Sequence, residues 1–315
     1  MILPKFEYKK VRSVTEAIDL YGRFDGKARY LAGGTDLVPL LKLRLFLPAA
    51  VIDLKYVEEL KVITQKDGML VIGANTSLFN LKNNPMVREY FPALSESLEA
   101  TSCETLQMRG TIGGNILQDT RCLLYNKSLE WRTARGFCYK MGGETCNVVP
   151  RAQACYANYC SDNTPSLMTL SARVKLVGPK GERAIEIGKL FSDQGRGNLR
   201  LEPGEVLTEI HVPMKKTKGA YEKLRVRDSM DYPLVGVAVS IRGSSVHACV
   251  GGIGKVPLLY NLKKSGDGAI DDMANRAQGE ARPVQNTALS PSYRKKMVTV
   301  LLKRAIKRAQ KEGVK

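Results

Sequence analysis

Histidine is nearly absent: His211 and His247 are the only two in 315 residues. That excludes a histidine-rich zinc enzyme, and a Ser-His-Asp or Cys-His site would have to use one of these two. Tryptophan occurs once, at Trp131, and aromatic residues make up 7%, which leaves little for stacking on nucleic-acid bases. No apolar run approaches the ~20 residues of a membrane span. The opening residues, Met1-Ile2-Leu3-Pro4-Lys5-Phe6-Glu7, lack the basic stretch and apolar core of a secretory leader. A cytoplasmic chain with reduced cysteines is therefore expected. The P-loop, the GxGxxG dinucleotide fingerprint, the GxSxG nucleophile elbow and the HExxH zincin helix do not occur either, so their reactions are set aside.

Acidic residues are outnumbered. Lys plus Arg total 49 against 31 Asp plus Glu, a formal charge of +18. Such a charge suits nucleic acid, acidic protein partners, or solubility with no partner at all. The length suggests about two domains and suffices for a core without disulfide staples. A hydrophobic fraction of 43% and a charged fraction of 25% are ordinary for a folded protein.

The first 55 residues read as strand, helix, strand. Ser13-Val14-Thr15-Glu16 has capping-box spacing, and Leu37 to Leu47 is apolar at helical spacing up to Pro48. Lys61 to Gly73 reads as a hairpin around Asp67-Gly68. Leu78 to Leu81 and Ala93 to Ala100 read as short helices. Val174 to Val177 and Val206 to Val212 alternate like strands. The basic stretch Lys215-Lys216-Thr217-Lys218 reads as a boundary, followed by strands at Val235 to Arg242 and Val246 to Val250. A closing helix starts at Ser290-Pro291. Val298, Leu301, Leu302, Ala305 and Ala309 fall on its apolar face, and Arg294, Lys295, Lys303, Arg304, Lys307, Arg308 and Lys311 on a charged one. Strands and helices mix without strict alternation, which suggests an α+β fold.

Three features carry chemistry. Leu31-Ala32-Gly33-Gly34-Thr35-Asp36 follows a strand and precedes a helix; a Gly-Gly pair there can turn backbone N–H groups toward a pyrophosphate, or Thr or Asp can simply cap the helix. Arg109-Gly110-Thr111-Ile112-Gly113-Gly114-Asn115 is a second such turn, and two in one chain favour a dinucleotide held between two segments. The third is a cysteine cluster: five of the seven cysteines lie between Cys122 and Cys160. The stretch around them reads as a long loop, and loops beyond ~12–15 residues are uncommon unless functional or disordered. A four-thiolate zinc site or an iron–sulfur cluster would organise it, and the spacing does not choose between them. Cys103 and Cys249 read as ordinary buried thiols.

These residues resemble a family. The two glycine turns look like the FAD-pyrophosphate loops of molybdenum hydroxylase flavoprotein subunits (the xanthine dehydrogenase/CO dehydrogenase FAD-binding medium subunits). The resemblance continues through Asp162 to Leu170, Tyr221 to Arg227 and Asp231 to Ala238. It implies a two-subdomain FAD-binding fold of the PCMH/vanillyl-alcohol-oxidase type, followed by a smaller α+β C-terminal domain. The implied segments are 1–56, 57–216 and 217–315. The resemblance places Leu31, Ala32, Gly33, Gly34, Thr35, Asp36, Thr101, Thr111, Ile112, Gly113, Gly114, Asn115, Gln118 and Asp162 at FAD, with Lys223 or Leu224 near the isoalloxazine.

Between the second turn and Asp162 the chain carries an insertion, residues 119–161. Asp119-Thr120-Arg121-Cys122-Leu123 and Cys155-Tyr156-Ala157 resemble the flavoprotein subunit of 4-hydroxybenzoyl-CoA reductases, which holds an extra 4Fe-4S cluster in such a loop. Carried over, the ligands are Cys122, Cys138, Cys146 and Cys155; Cys160 remains a ligand substitute or a free thiol. The resemblance implies a heterotrimer with a molybdopterin large subunit and a 2Fe-2S small subunit, with ferredoxin as electron donor. It implies no catalytic residue in this chain, and no nucleic-acid or membrane partner. An oxidative molybdenum hydroxylase flavoprotein is the rival within the family, and a four-cysteine zinc nucleic-acid-binding protein the rival outside it.

Overall fold

The computed structural model describes residues 2–263 and 266–311. The described strands form three sheets, and the order of the chain keeps each sheet in its own segment. The first is parallel, with β3 (Ala50–Asp53) between β1 (Glu7–Lys10) and β2 (Ala28–Leu31). β3 is buried along its whole length, as a central parallel strand requires. Helix α1 (Val14–Arg23) makes the crossover from β1 to β2, and Ser13 Oγ accepts the Glu16 N–H at 3.1 Å as its cap. The expected helix from Leu37 to Leu47 is shorter: α2 spans Leu37–Lys42. Arg44 takes a left-handed φ of +53°, which an α-helix cannot continue through.

The second sheet is antiparallel, in the order β4 (Ile63–Lys66), β5 (Met69–Gly73), β8 (Val206–Pro213), β6 (Arg173–Gly178), β7 (Gly181–Glu186). Asp67 and Gly68, with φ of +50° and +70°, give the β4–β5 hairpin the backbone twist its strands need. Short helices supply its helical side: α3 (Leu78–Lys82), α4 (Pro85–Tyr90), α5 (Pro92–Ala100), α6 (Glu104–Gln107) and α7 (Ile112–Ile116). Within the insertion, α8 spans Leu129–Arg135, and α9 (Asn163–Thr169) follows it. Leu94, Leu98, Ile112, Leu167 and Ile210 share one buried core in this segment.

The expectation of a structureless insertion is corrected by α8. Ser128 Oγ accepts the Trp131 N–H at 3.4 Å. The helix docks through a charged residue: Arg132 is buried and donates to the carbonyls of Lys127, Leu43 and Arg44. No apolar period exists to read because the inward contact is an arginine.

The third sheet is a meander of β9 (Lys218–Leu224), β10 (Val235–Arg242), β11 (Ser245–Gly251) and β12 (Leu258–Leu262). Helices α10 (Asp267–Glu280) and α11 (Pro291–Lys311) pack on it. α5 and α9 of the preceding segment also meet its strands, which places the third sheet against these helices. Val298, Leu301, Leu302, Ala305 and Ala309 are buried as expected. Arg294 is not on the charged face: it is 0% exposed. Its guanidinium donates to the carbonyls of Leu234, Gly252 and Val284 and to Thr287 Oγ1. Much of the remaining basic face is paired within the chain, with Arg304 and Arg308 on Glu222, Arg308 on Glu96, and Lys303 on Asp271.

Candidate functional site

The two glycine turns meet. A Cβ on Gly33 would stand 1.8 Å from the Arg109 carbonyl oxygen, so only glycine lets the first loop lie against the second. Gly34 has φ +77°, open to glycine at no steric cost. A Cβ on Gly113 would stand 2.8 Å from Ala74, and the Gly113 N–H donates to the Ala74 carbonyl at 2.8 Å. Thr111 caps α7, its Oγ1 accepting the Gly114 N–H at 3.1 Å. Gly113 and Gly114 therefore form the first turn of a short helix rather than a free loop.

Along these loops runs a cavity of about 610 Å³, within the roughly 300–1,000 Å³ of ligand sites. Ala32, Gly33, Gly34, Thr35, Asp36, Thr101, Thr111, Gly113, Gly114, Asn115, Gln118 and Asp162 line it. The other predicted residues are not among the lining residues. Ile112 is in the core, Leu31 ends β2, and Lys223 and Leu224 end β9.

Asp36 does not cap α2 with its side chain. Its carboxylate accepts the Tyr232 hydroxyl at 3.2 Å and faces Arg121 at 3.9 Å. Burial raises its pKa, opposed by Arg121. The Arg121 guanidinium stacks 3.9 Å above the Tyr232 ring. First loop, insertion and third segment thus close on one another at this end of the cavity. At Asp162, Oδ1 accepts Tyr221 OH at 2.8 Å and Lys223 Nζ at 2.9 Å. Burial pushes this carboxyl above its ordinary value, with Lys223 the main counterweight. Asn115 Oδ1 accepts Ser161 Oγ at 2.6 Å and Asn163 Nδ2 at 3.1 Å, pinning the start of α9 to the second glycine turn. Sequence reasoning missed Tyr30, Phe46, Asn198 and Tyr232, which also line the cavity. Tyr30, Phe46 and Asn198 sit in no motif; Tyr232 lies in the Asp231 to Ala238 segment, but only the fold brings it to the cavity.

A second, smaller cavity lies inside the insertion. Cys122, Cys138, Cys146 and Cys155 all line it, together with Tyr125 and Lys140. Burial raises the Cys122 and Cys155 thiols, and charge on the neighbouring cysteines raises them further. Among the described residues no three or more His, Cys, Asp or Glu side chains are grouped to hold a metal ion, which bears alike on a four-thiolate zinc site and on a cluster held by the same cysteines. Cys160 faces the first cavity instead, and burial pushes its pKa up to about 11. Cys249 is buried as expected, but Cys103 is half-exposed, because it precedes the surface helix α6.

The model of the FAD binding domain in molybdopterin dehydrogenase matches residues 4–215. The chain belongs to the FAD-binding subunits of the molybdenum hydroxylases. The carbon monoxide dehydrogenase medium chain of Afipia carboxidovorans is 28% identical, over 98% of both chains. The medium chain from Hydrogenophaga pseudoflava is 31% identical over 78% of this chain and 71% of its own. A solved carbon monoxide dehydrogenase from Hydrogenophaga pseudoflava superposes with a TM-score of 0.80 at 26% identity, covering 98% of this chain and 99% of that one. As a molybdenum hydroxylase flavoprotein this chain is an FAD-binding oxidoreductase component, which removes the zinc nucleic-acid reading. The residues present fit the cofactor. Gln118 is buried, its Nε2 donates to the Asn115 carbonyl at 2.8 Å, and its Oε1 has no partner among the described residues. A buried acceptor of this kind calls for a ligand donor or a water. Among the described residues no helix is long and apolar enough to cross a membrane.

Proposed function

We propose that this subunit carries FAD and a 4Fe-4S cluster in a 4-hydroxybenzoyl-CoA reductase-type complex. Ferredoxin would supply two electrons, and with two protons the phenolic hydroxyl would leave as water, giving benzoyl-CoA. The partners are a molybdopterin large subunit, which holds the substrate, and a 2Fe-2S small subunit, in a cytoplasmic heterotrimer. The observation that carries the reading is the convergence of Cys122, Cys138, Cys146 and Cys155 on one cavity. Four cysteine thiolates are the ligand set of a 4Fe-4S cluster. Cys122 stands three residues from Asp119, which lines the flavin cavity. Three residues span at most about 11 Å.

FAD supplies the exchange between one-electron carriers and a two-electron centre. The chain's residues hold it. Gly33, Gly34, Thr35 and Asp36, with Thr111 to Asn115, present backbone N–H groups and hydroxyls to the pyrophosphate. Gln118 and Asp162 meet polar groups of the cofactor, and Thr101 lies alongside. Leu31, Ala32 and Ile112 shape the loops, while Lys223 and Leu224 act from behind Asp162. The segments 1–56, 57–216 and 217–315 are the domains, each with one of the three sheets.

The insertion also offers a place for the donor. It holds six Lys or Arg against three Asp or Glu, and Leu123, Trp131 and Phe137 are exposed on it. Charge and exposed aromatics together suit an acidic ferredoxin. The second reading, an oxidative hydroxylase whose flavin is the electron outlet, is favoured by the relatives' names: carbon monoxide dehydrogenase, and the FAD-binding subunit of an aldehyde oxidoreductase from Escherichia coli at 30% identity. The complex, co-expressed and purified without oxygen, separates the two. Iron and flavin per chain, then turnover of 4-hydroxybenzoyl-CoA with reduced ferredoxin, should both be positive and should weaken with salt. Iron confined to the small subunit, with dye-linked oxidation of an aldehyde, would establish the second reading.

A further inference from the structure

Lys140 belongs to the insertion, and the flavin site does not use it. Its side chain is 5% exposed. Its ammonium sits 2.8 Å from Asp119 Oδ2, and donates to the Thr120 carbonyl at 2.5 Å and Thr120 Oγ1 at 2.7 Å. An ammonium has three protons, and these three acceptors saturate it. Its Nζ also stands 4.8 Å from the centroid of the Tyr125 ring. The charge is therefore fixed in place. The location is specific: Lys140 lines the cysteine cavity, and its partner Asp119 lines the flavin cavity. Thr120 Oγ1 donates in turn to the Gly195 carbonyl at 2.6 Å, so residues 119–122 and the loop at Gly195 make one wall between the cavities.

With Lys140 sealed and Asp119 26% exposed, the pair is weak evidence for stability, because desolvating the ammonium offsets much of the attraction. A reason beyond stability is called for, and the cysteines provide it. Four thiolates around an iron–sulfide core carry net negative charge, and each added electron increases it. A buried cation beside them offsets that increase more strongly than it would in water.

We infer that Lys140 is the fixed counter-charge of the cysteine site, setting how readily a cluster there takes an electron, and that Asp119 moderates it from the flavin side. This rests on the cluster reading given above. Lys140 is a positioning residue here: it makes and breaks no bond and passes no proton.

The test is an EPR-monitored potentiometric titration of the cluster in the complete complex, purified without oxygen, with iron counted per chain. Lys140→Met should make cluster reduction about tenfold less favourable, a fall of about 59 mV for one electron. Asp119→Asn should move the potential the opposite way, because it leaves the cation uncompensated. Lys140→Arg, which keeps the charge, should stay near the unsubstituted complex. A cluster that assembles fully in Lys140→Met at an unmoved potential overturns the inference alone. So do shifts of the same sign in Lys140→Met and Asp119→Asn, the result expected of a mere strut. If Lys140→Met fails to hold iron, Asp119→Asn decides: a raised potential there, with Lys140→Arg near the unsubstituted complex, supports the inference, and an unmoved or lowered potential in Asp119→Asn overturns it. A complex whose unsubstituted chain holds no cluster overturns the inference together with the reading beneath it.

Discussion

Replacing Lys223 with Met should expose how Asp162 is held in the cavity wall. Both side chains are nearly sealed from solvent, 5% and 6% exposed, and Nζ lies 2.9 Å from Oδ1. Met keeps the length and the apolar stem but removes the charge, leaving Asp162 with Tyr221 OH alone. Breaking a buried pair from one side costs about 3–5 kcal/mol, because the remaining charge stays desolvated. At roughly 2–4 °C per kcal/mol, the melting temperature should fall by about 10 °C at neutral pH. The pH dependence follows from the shift. Burial already lifts Asp162 above its ordinary 3.8, and Lys223 is the main opposing influence; without it the carboxyl rises further. A carboxyl with a raised folded-state pKa contributes its stability below the unfolded pKa and loses it as pH climbs through the folded one. The Lys223→Met deficit should therefore be small near pH ~4 and grow toward pH ~8. Adding Asp162→Asn should recover much of the loss, since a neutral amide needs no counter-charge. Melting curves across that range check this. A deficit independent of pH, or a double variant no better than Lys223→Met, would refute the reasoning.

Gly33→Ala should lower the flavin retained per purified chain several-fold, because its Cβ meets backbone at Arg109 that cannot swing aside; Gly22→Ala, with no atom within 4 Å, should retain it fully. Flavin absorbance per chain reads both. Cys138→Ser and Cys146→Ser should each reduce iron per chain, while Cys160→Ser, in the other cavity, should leave iron unchanged; anaerobic iron analysis distinguishes them. Arg294→Met should cost at least about 3 kcal/mol in chemical denaturation, because a buried carbonyl that loses its donor costs about 1–3 kcal/mol, and Arg294 serves several. Lys307→Met, on the exposed side of the same helix, should change stability by less than about 0.5 kcal/mol.

What could be read from the sequence was local. Ser13 and Ser290 announced their helices because a capping hydroxyl acts within three residues. Asp67-Gly68 announced its hairpin because only certain residues accept that turn. The glycine turns were readable as candidates, since closely approaching backbone excludes a Cβ. What lies across them was not: Gly33 is glycine because of Arg109, 76 residues away. Helix α8 left no apolar signature because it docks through Arg132. Arg294 falls in register with Val298, Leu301 and Ala305 on the buried stripe of α11, and only its charge suggested solvent. The period of α11 gives its direction, but the carbonyls at Leu234, Gly252 and Val284 that satisfy its guanidinium lie outside the helix and are not legible in it. Tyr232 reaches Asp36 across 196 residues. Long-range pairs of this kind define much of the cavity, so motif reading recovered the loops and missed the walls.

The position of the insertion follows from the same geometry. It leaves the flavin domain at Asp119 and returns at Cys160-Ser161, and both Asp119 and Cys160 line the first cavity. Arg121 and Asn158 pair as an antiparallel bridge, so the two ends of the insertion are tied side by side. An insertion with paired ends adds little closure entropy beyond its own length, and it leaves Asn115, Ser161 and Asn163 free to hold α9 in register. The cysteine site is thereby attached to the flavin wall through short covalent connections instead of through a separate interface. Lys140, saturated by acceptors on Asp119 and Thr120, fixes the far part of the loop to that same wall. If the cysteines hold the proposed cluster, the short path through Lys140 and Asp119 ties its charge to a residue that lines the flavin cavity.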